Sequence, residues 1–413
     1  VPVGAAFRRV ATDVGLGLWA GVTAGLLSAV FLFVLGHIDR QFRAHPEWVL
    51  GLPIAGLISA ALYKFFGKDA GRGTALIIDA IHEPEVKVPL RMAPLVLLGT
   101  WLTHLGGGSA GREGTAVQMA GAAAGALERW VKLSESDRRR LLMAGVAGGF
   151  AAVFGTPWAG AIFGIEATAK RWFDWDGILT GAVAAFVGDA VCRAVGIRHH
   201  IYPAFGDLNA SGVGALLIAP VAAVVAHAFM ASVHGLQGWM KARSWWFAPL
   251  AGGGIVVLLS LAFPRTGWNG LSLPLLEQSV VKSVGTGDFA GKLIFTVVTL
   301  GFGFKGGEVT PLFVIGATMA NALAQVCGVP VAPWAMIGFV TLFAGCSGAP
   351  VACAVMAGEL FGVNAVPAAL VSCALAAALG PTARGTSLYG VHRPWVGWWG
   401  MIPGGTRDLP RGS

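Results

Sequence analysis

The chain has 413 residues, of which 55% are hydrophobic and only 12% charged, about half the charged share of a soluble globular protein. With a mean hydropathy of +0.69, it cannot cover a water-soluble surface with polar groups. This excludes a soluble enzyme and points to an integral membrane protein. The formal charge of +8 fits basic loops flanking membrane spans better than a nucleic-acid surface, so no nucleic-acid partner is expected.

Along the chain, Arg8, Arg9 and Asp13 lead into a long apolar helix with no cleavable signal peptide ahead of it. Stretches poor in charge predict spans at 14–38, 92–111, 141–165, 208–240 and 244–264, with shorter apolar pieces at 48–63 and 114–127. No charged residue occurs from Val309 to Gly358. One helix of that length would reach about 75 Å, more than twice a bilayer, so the segment must fold back, with Pro330 and Pro333 marking a break. Other runs are interrupted at Gly106–Gly114, Gly155–Pro157, Gly301–Gly307 and Gly345–Pro350. Helices that stop inside a bilayer are tolerated where they line protein or a watery cavity, which favours a transporter or channel. Cys192, Cys327, Cys346, Cys353 and Cys373 lie in apolar stretches without a CxxC pair. They read as small packing residues, and neither a metal site nor a cofactor is expected. Residues 408–413, ending LPRGS from Leu409, read as a tag remnant after a single transmembrane domain over 1–407.

The sequence repeats itself. Gly155-Thr-Pro-Trp-Ala-Gly-Ala-Ile-Phe-Gly-Ile-Glu166 and Gly348-Ala-Pro-Val-Ala-Cys-Ala-Val-Met-Ala-Gly-Glu359 share Gly, Pro, Ala, Ala and Glu in register. Upstream, Gly111-Arg-Glu113-Gly-Thr115 with Gly121 matches Gly306-Gly-Glu308-Val-Thr310 with Gly316 at nearly the same separation. Duplicated halves of about 14–200 and 208–390 follow, with interrupted helices in matching places. Such an arrangement puts a binding site between the halves near the membrane midplane.

Glu113 opens an apolar helix directly after the Gly-rich run GGGSAGR. A turn of this kind aims free N–H groups and the positive end of the helix dipole at one point, which suits an anion. A carboxylate there can fill the anion position when ionised and leave it when protonated; the plainer alternative is a helix-capping acid at a membrane surface. Glu308 occupies the same kind of turn, FKGGEVTP. Intramembrane acids are costly and functional by default. Glu166 and Glu359, ending their helices, read mainly as capping or interhelical bonding groups. Asp189 is ambiguous, His104 and His227 read as core histidines, and Arg138–Arg140 reads as a loop anchor on the cytoplasmic side. Gly107-Gly-Ser109-Ala-Gly111 fits GxSxG and Gly301-Phe-Gly303-Phe-Lys-Gly306 fits GxGxxG, but neither has the strand context those motifs need. An intramembrane hydrolase built on Ser109 and His104 is the alternative from a different class.

At GREGT, GTPWAGAIFGIE and GGEVTP the chain resembles the CLC family of chloride channels and anion/proton antiporters, over about residues 14–390. The resemblance implies an all-α membrane fold of two inverted halves with tilted, interrupted helices. It also implies a homodimer with one pathway per subunit. Glu113 falls on the family's gating glutamate, which carries the proton, and Tyr389 on the tyrosine whose hydroxyl faces the central anion. The departures from the pattern are informative. The family's GSGIP is replaced by Gly71-Arg-Gly-Thr-Ala75, GREGP by GREGT, and GxFxP by Gly307-Glu308-Val309-Thr310-Pro311, while Ala167 stands where a second, inward-facing Glu is usual.

These changes resemble the fluoride-exporting branch. Matching Leu76–Asp79 puts Thr74 at the central position, and a register two residues earlier puts Arg72 there. The implied anion-binding set is Thr74, Thr310 and Tyr389 with Gly111, Arg112, Gly114, Gly307 and Val309. Fluoride is small and strongly hydrated, and compact hydroxyl and N–H donors suit it. Glu113 is expected to exchange protons with the outside and compete for the anion site. Glu308 is expected to be protonated or bonded to anion-site hydroxyls. The expected activity is fluoride/proton antiport across a prokaryotic cell membrane, not enzyme catalysis, with a chloride antiporter or channel on the same fold as the alternative. With the chain ending soon after Tyr389, no nucleotide-controlled regulatory domain is expected.

Overall fold

Two Gly-X-Pro steps interrupt long apolar runs at matching places in the fold. At Gly155 (φ +73°) and Gly348 (φ +69°) the chain turns left-handed and ends a helix, and Pro157 and Pro350 open the next helix within two residues. Glycine suits the left-handed C-terminal position, and proline suits the first helical position, where its missing N–H costs nothing. The apolar stretch 141–165, expected as one span, is therefore two helices. The charge-free run from Val309 holds three, broken at Gly328–Pro330 and again at Gly348–Ala349.

The structure, a computed structural model, describes residues 3–169, 173–206, 212–264 and 266–389. The tag remnant expected at 408–413 lies outside the described residues. Sixteen α-helices occur among them: α1 (Val3–Ala44), α2 (Leu52–Leu62), α3 (Thr74–His82), α4 (Met92–Leu105), α5 (Glu113–Gly125), α6 (Glu135–Phe154), α7 (Pro157–Glu166), α8 (Ile178–Ala194), α9 (Gly212–Met240), α10 (Phe247–Ala262), α11 (Leu273–Ser279), α12 (Asp288–Gly301), α13 (Val309–Cys327), α14 (Val331–Ser347), α15 (Pro350–Phe361) and α16 (Val366–Leu379). No strand occurs among the described residues. Five segments are long and apolar enough to cross a membrane, and several others, such as α4 and α10, are apolar but shorter.

The helices of the second half repeat those of the first in order. α1 packs on α6 and α8 as α9 packs on α14 and α16, and α5 lies between α4 and α6 as α13 lies between α12 and α14. The halves meet where α7 touches α15 and where the turns before α5 and α13 touch. There Glu166, at the end of α7, accepts N–H bonds from Val351 (3.1 Å) and Ala352 (2.7 Å). Glu359, at the end of α15, accepts them from Trp158 (3.0 Å) and Ala159 (2.8 Å). Each helix ends on the start of its mate, so α7 and α15 run antiparallel and the halves are inverted.

Close helix crossings depend on small residues, as in other membrane proteins. Gly17, Gly21 and Gly25 form a stripe at four-residue spacing on α1 where it crosses α8. A Cβ at Gly21 would lie 2.8 Å from both the Ala184 carbonyl oxygen and Val187 Cβ.

Candidate functional site

Two backbones approach each other unusually closely at the centre of the molecule. Gly111 donates its N–H to the Gly307 carbonyl at 2.5 Å, and Gly307 returns a bond to the Gly111 carbonyl at 2.8 Å. A Cβ on Gly111 would lie 2.9 Å from Pro311 Cδ, and one on Gly307 would lie 2.7 Å from the Gly114 nitrogen. Only glycine permits this approach, which places the first turns of α5 and α13 side by side.

Glu113 begins α5, yet its carboxylate lies on the first turn of α13. Thr310 donates its N–H to Oε2 at 3.0 Å, and its hydroxyl lies 2.6 Å from Oε1 and 2.5 Å from Oε2. Arg112 adds its own N–H at 3.1 Å and its Nε at 3.4 Å. The carboxylate is 1% exposed. A buried anion so placed meets free first-turn N–H groups and the positive end of a helix dipole. Sequence reasoning placed the anion position at the start of the acid's own helix, whereas the structure puts the carboxylate on the mate helix across the repeat interface.

Glu308 leans the other way. A Cβ at Gly114 would lie 3.4 Å from its Oε2, so its carboxylate sits against the first turn of α5. No hydroxyl donates to it among the described residues, and the Thr310 hydroxyl is given to Glu113. The expected alternative of a hydroxyl-bonded Glu308 is therefore not seen.

The two acids border two spaces. On the Glu308 side a cavity of about 440 Å³ is lined by Thr74, Arg72, Gln118, His234, Lys305 and Glu308, among others. On the Glu113 side a narrow space of about 20 Å³ is lined by Arg112, Glu113, His200, Tyr202 and Thr310, among others. Glu113 and its donor Thr310 line the narrow space, and Glu308 lines the larger cavity.

The other expected residues divide. Thr74 opens α3 and lines the large cavity, where its hydroxyl oxygen accepts a bond from Gln118 Nε2 at 3.3 Å. Arg72 lines the same cavity, but its guanidinium is paired with Asp79. Tyr389 is buried with its ring edge-on to Phe163 at 5.7 Å. The N–H groups of Gly111 and Gly307 are engaged with each other. Gly114 and Val309 lie in the first turns of α5 and α13, where an N–H has no carbonyl four residues back.

Ser109 Oγ bonds Thr296 Oγ1 at 2.9 Å, away from His104, so the hydrolase alternative lacks its nucleophile–base contact. Asp189 pairs with Arg193 at 2.9 Å. His227 Nδ1 lies 2.9 Å from the Ala223 carbonyl of its own helix. The run Arg138–Arg140, expected to anchor a loop, lies in α6 and ties it inward. Arg138 donates to the Ala80 and Val86 carbonyls at 2.7 and 2.5 Å, Arg139 pairs with Asp174, and Arg140 meets buried Asp13 at 3.0 Å.

Sequence reasoning missed Gln118 and Lys305, whose Nζ sits 4.3 Å from the centre of the Tyr63 ring. Both had a signal: Gln118 is a polar residue in an otherwise apolar run, and Lys305 a charge abutting a glycine turn.

The sequence and the fold have known counterparts. A family model described as voltage gated chloride channel matches residues 55–380. A chloride/fluoride channel protein of Pseudomonas syringae pv. tomato is 43% identical over 366 residues, 85% of this chain and 80% of that protein. The crystal structure of a CLC-type fluoride/proton antiporter superposes with a TM-score of 0.87 at 31% identity, covering 94% of this chain and 98% of that one. A slow cyanobacterial Cl⁻/H⁺ antiporter shares the fold, with a TM-score of 0.80 at 20% identity over 92% of this chain and 96% of that one.

Proposed function

The chain belongs to the CLC family of voltage gated chloride channels, and we propose that this integral membrane transporter exports fluoride in exchange for protons across a prokaryotic cell membrane. One observation carries the reading: the buried Glu113 carboxylate sits among N–H and hydroxyl donors that suit a small anion, and it lines one space while its repeat mate Glu308 lines another. Ionised, Glu113 fills the position and keeps the anion out. Protonated, it loses the charge that binds it to the Thr310 and Arg112 donors, and an anion can take its place. One carboxyl group thus alternates between carrying a proton and blocking an anion, which couples the two fluxes.

The preference for fluoride is supported by the donors and by the relatives. The hydroxyls of Thr310, Thr74 and Tyr389 are compact, and fluoride accepts hydrogen bonds more strongly than chloride. The Pseudomonas relative carries fluoride in its name, as does the solved antiporter. Two carboxylates beside the pathway would repel an anion by several kcal/mol at close range, so Glu113 or Glu308 is neutral while fluoride is bound. Both acids and both spaces belong to one chain, which supports one pathway per subunit of the homodimer that the family resemblance implies.

Anion efflux from proteoliposomes, with external pH recorded, tests the reading. Fluoride should leave faster than chloride with proton uptake, and Glu113→Gln should abolish the proton movement. Chloride efflux as fast as fluoride would replace the reading with a chloride antiporter or channel on the same fold.

A further inference from the structure

We propose that Gln118 is a positioning residue that turns the Thr74 hydroxyl into a donor aimed at the anion, and so sets the preference for fluoride over chloride. The inference rests on the fluoride reading and deepens it. Gln118 projects from α5 into the large cavity, where its Nε2 donates to Thr74 Oγ1 at 3.3 Å. Gly73, directly before Thr74, takes a φ of +63° that side-chain-bearing residues rarely adopt, and it packs in ordinary contact range of the Gln118 amide.

A threonine hydroxyl has one proton and two lone pairs. With one lone pair accepting the Gln118 amide, the proton must point elsewhere, and it makes no other side-chain hydrogen bond among the described residues. The open direction is the cavity that Thr74 lines. Without the amide, the hydroxyl is free to rotate, and the orientations that present lone pairs to the pathway repel an anion. Fluoride concentrates its charge in a smaller radius than chloride, so it gains more from a directed O–H and loses more when that direction is lost.

Gln118 is not a catalytic residue here; it acts through Thr74. This gives the proposal a signature that a merely structural role would lack. Gln118→Met keeps the length and helix preference of the side chain but removes the amide. It should lower the fluoride-to-chloride flux ratio and weaken fluoride binding by about fivefold, the scale of one hydrogen bond. The effect should persist in a Thr74→Ser background, which keeps the hydroxyl, and vanish in Thr74→Val, which does not.

Flux in proteoliposomes and calorimetric titration of the detergent-solubilised protein with sodium fluoride each give the cycle, the second without requiring transport. Gln118→Leu repeats the test if the methionine variant does not elute as folded protein. An unchanged ratio and affinity in the single variant, or an equal fall in the Thr74→Val background, overturns the proposal. Wild type serves as the control for the underlying reading. If it prefers fluoride while the cycle fails, only the role of Gln118 falls; if it shows no preference, the fluoride reading falls, and the calorimetric cycle still decides whether Gln118 acts through Thr74.

Discussion

Thr115 and Thr310 occupy equivalent places in the two halves but hydrogen-bond in different directions. Thr310 gives its hydroxyl to Glu113 at 2.6 Å, whereas Thr115 bonds Thr100 at 2.7 Å. Thr100 in turn donates to the Val96 carbonyl at 2.7 Å, so Thr115 must be the donor of the pair and has no proton left for an anion. The first turn of α5 is also covered by Gly307, whose Cβ, if present, would press on the Gly114 nitrogen. An inverted repeat could have produced two equivalent anion sites. This asymmetry leaves only the first turn of α13 with its hydroxyl turned to a buried carboxylate, and under the proposed function that turn is the single anion site and gate.

Thr310→Val is therefore expected to cut coupled fluoride turnover by about tenfold or more, since a hydrogen bond to a charged group is worth about 1.5–3 kcal/mol. Thr115→Val should leave turnover within about twofold of wild type and cost about 1 kcal/mol of stability. Flux and thermal unfolding of both variants, side by side, check this. Equal losses of turnover would show that the two first turns share the anion.

The pH response should have a definite sign. Under the proposed mechanism the proton carried by Glu113 is what frees the anion position, so lowering the pH on the Glu113 side should speed fluoride exit, and raising it should slow exit. In Glu113→Gln the side chain cannot ionise, and the dependence should flatten. A flux profile of the variant that still rises toward low pH would assign the proton step to another group.

Much of this was legible in sequence because the duplicated motifs mark the places where the chain must do something unusual. Gly-X-Pro at 155–157 and 348–350, and the paired glutamates at 113 and 308, carry local rules of caps and turns that need no partner to be read. What stayed hidden depends on tertiary placement. Glu113 reaches the mate helix only because Gly111 and Gly307 let the two turns pair. Gln118 and Thr74, 44 residues apart in sequence, meet only in the fold. The arginines at 138–140 looked like a loop anchor because a charge run is usually solvated, and the buried partner Asp13 is far away in sequence.

The crossed caps between the halves predict a loss of stability. Glu359→Ala would leave the Trp158 and Ala159 N–H groups without their carboxylate, and Glu166→Ala would do the same at Val351 and Ala352. Each should cost about 2–3 kcal/mol, with glutamine variants costing less because one oxygen acceptor remains. Thermal unfolding in detergent measures this. A variant at either position with unchanged stability but no proton coupling would move that glutamate from the scaffold to the proton path.

The α1–α8 crossing is expected to be intolerant of bulk. A Cβ at Gly21 already falls 2.8 Å from the Ala184 carbonyl oxygen and from Val187 Cβ, atoms of a neighbouring helix that cannot rotate away. Gly21→Val adds two further methyl groups at that point, and overpacking of this kind costs about 1–3 kcal/mol or more. The same change at Gly15, where a Cβ meets nothing within 4 Å, keeps the composition of α1 but not the clash. Gly21→Val should therefore unfold at lower temperature than Gly15→Val. Equal melting temperatures for the two would mean that α1 can shift away from α8 without penalty, and that the glycine stripe is not what holds the crossing together.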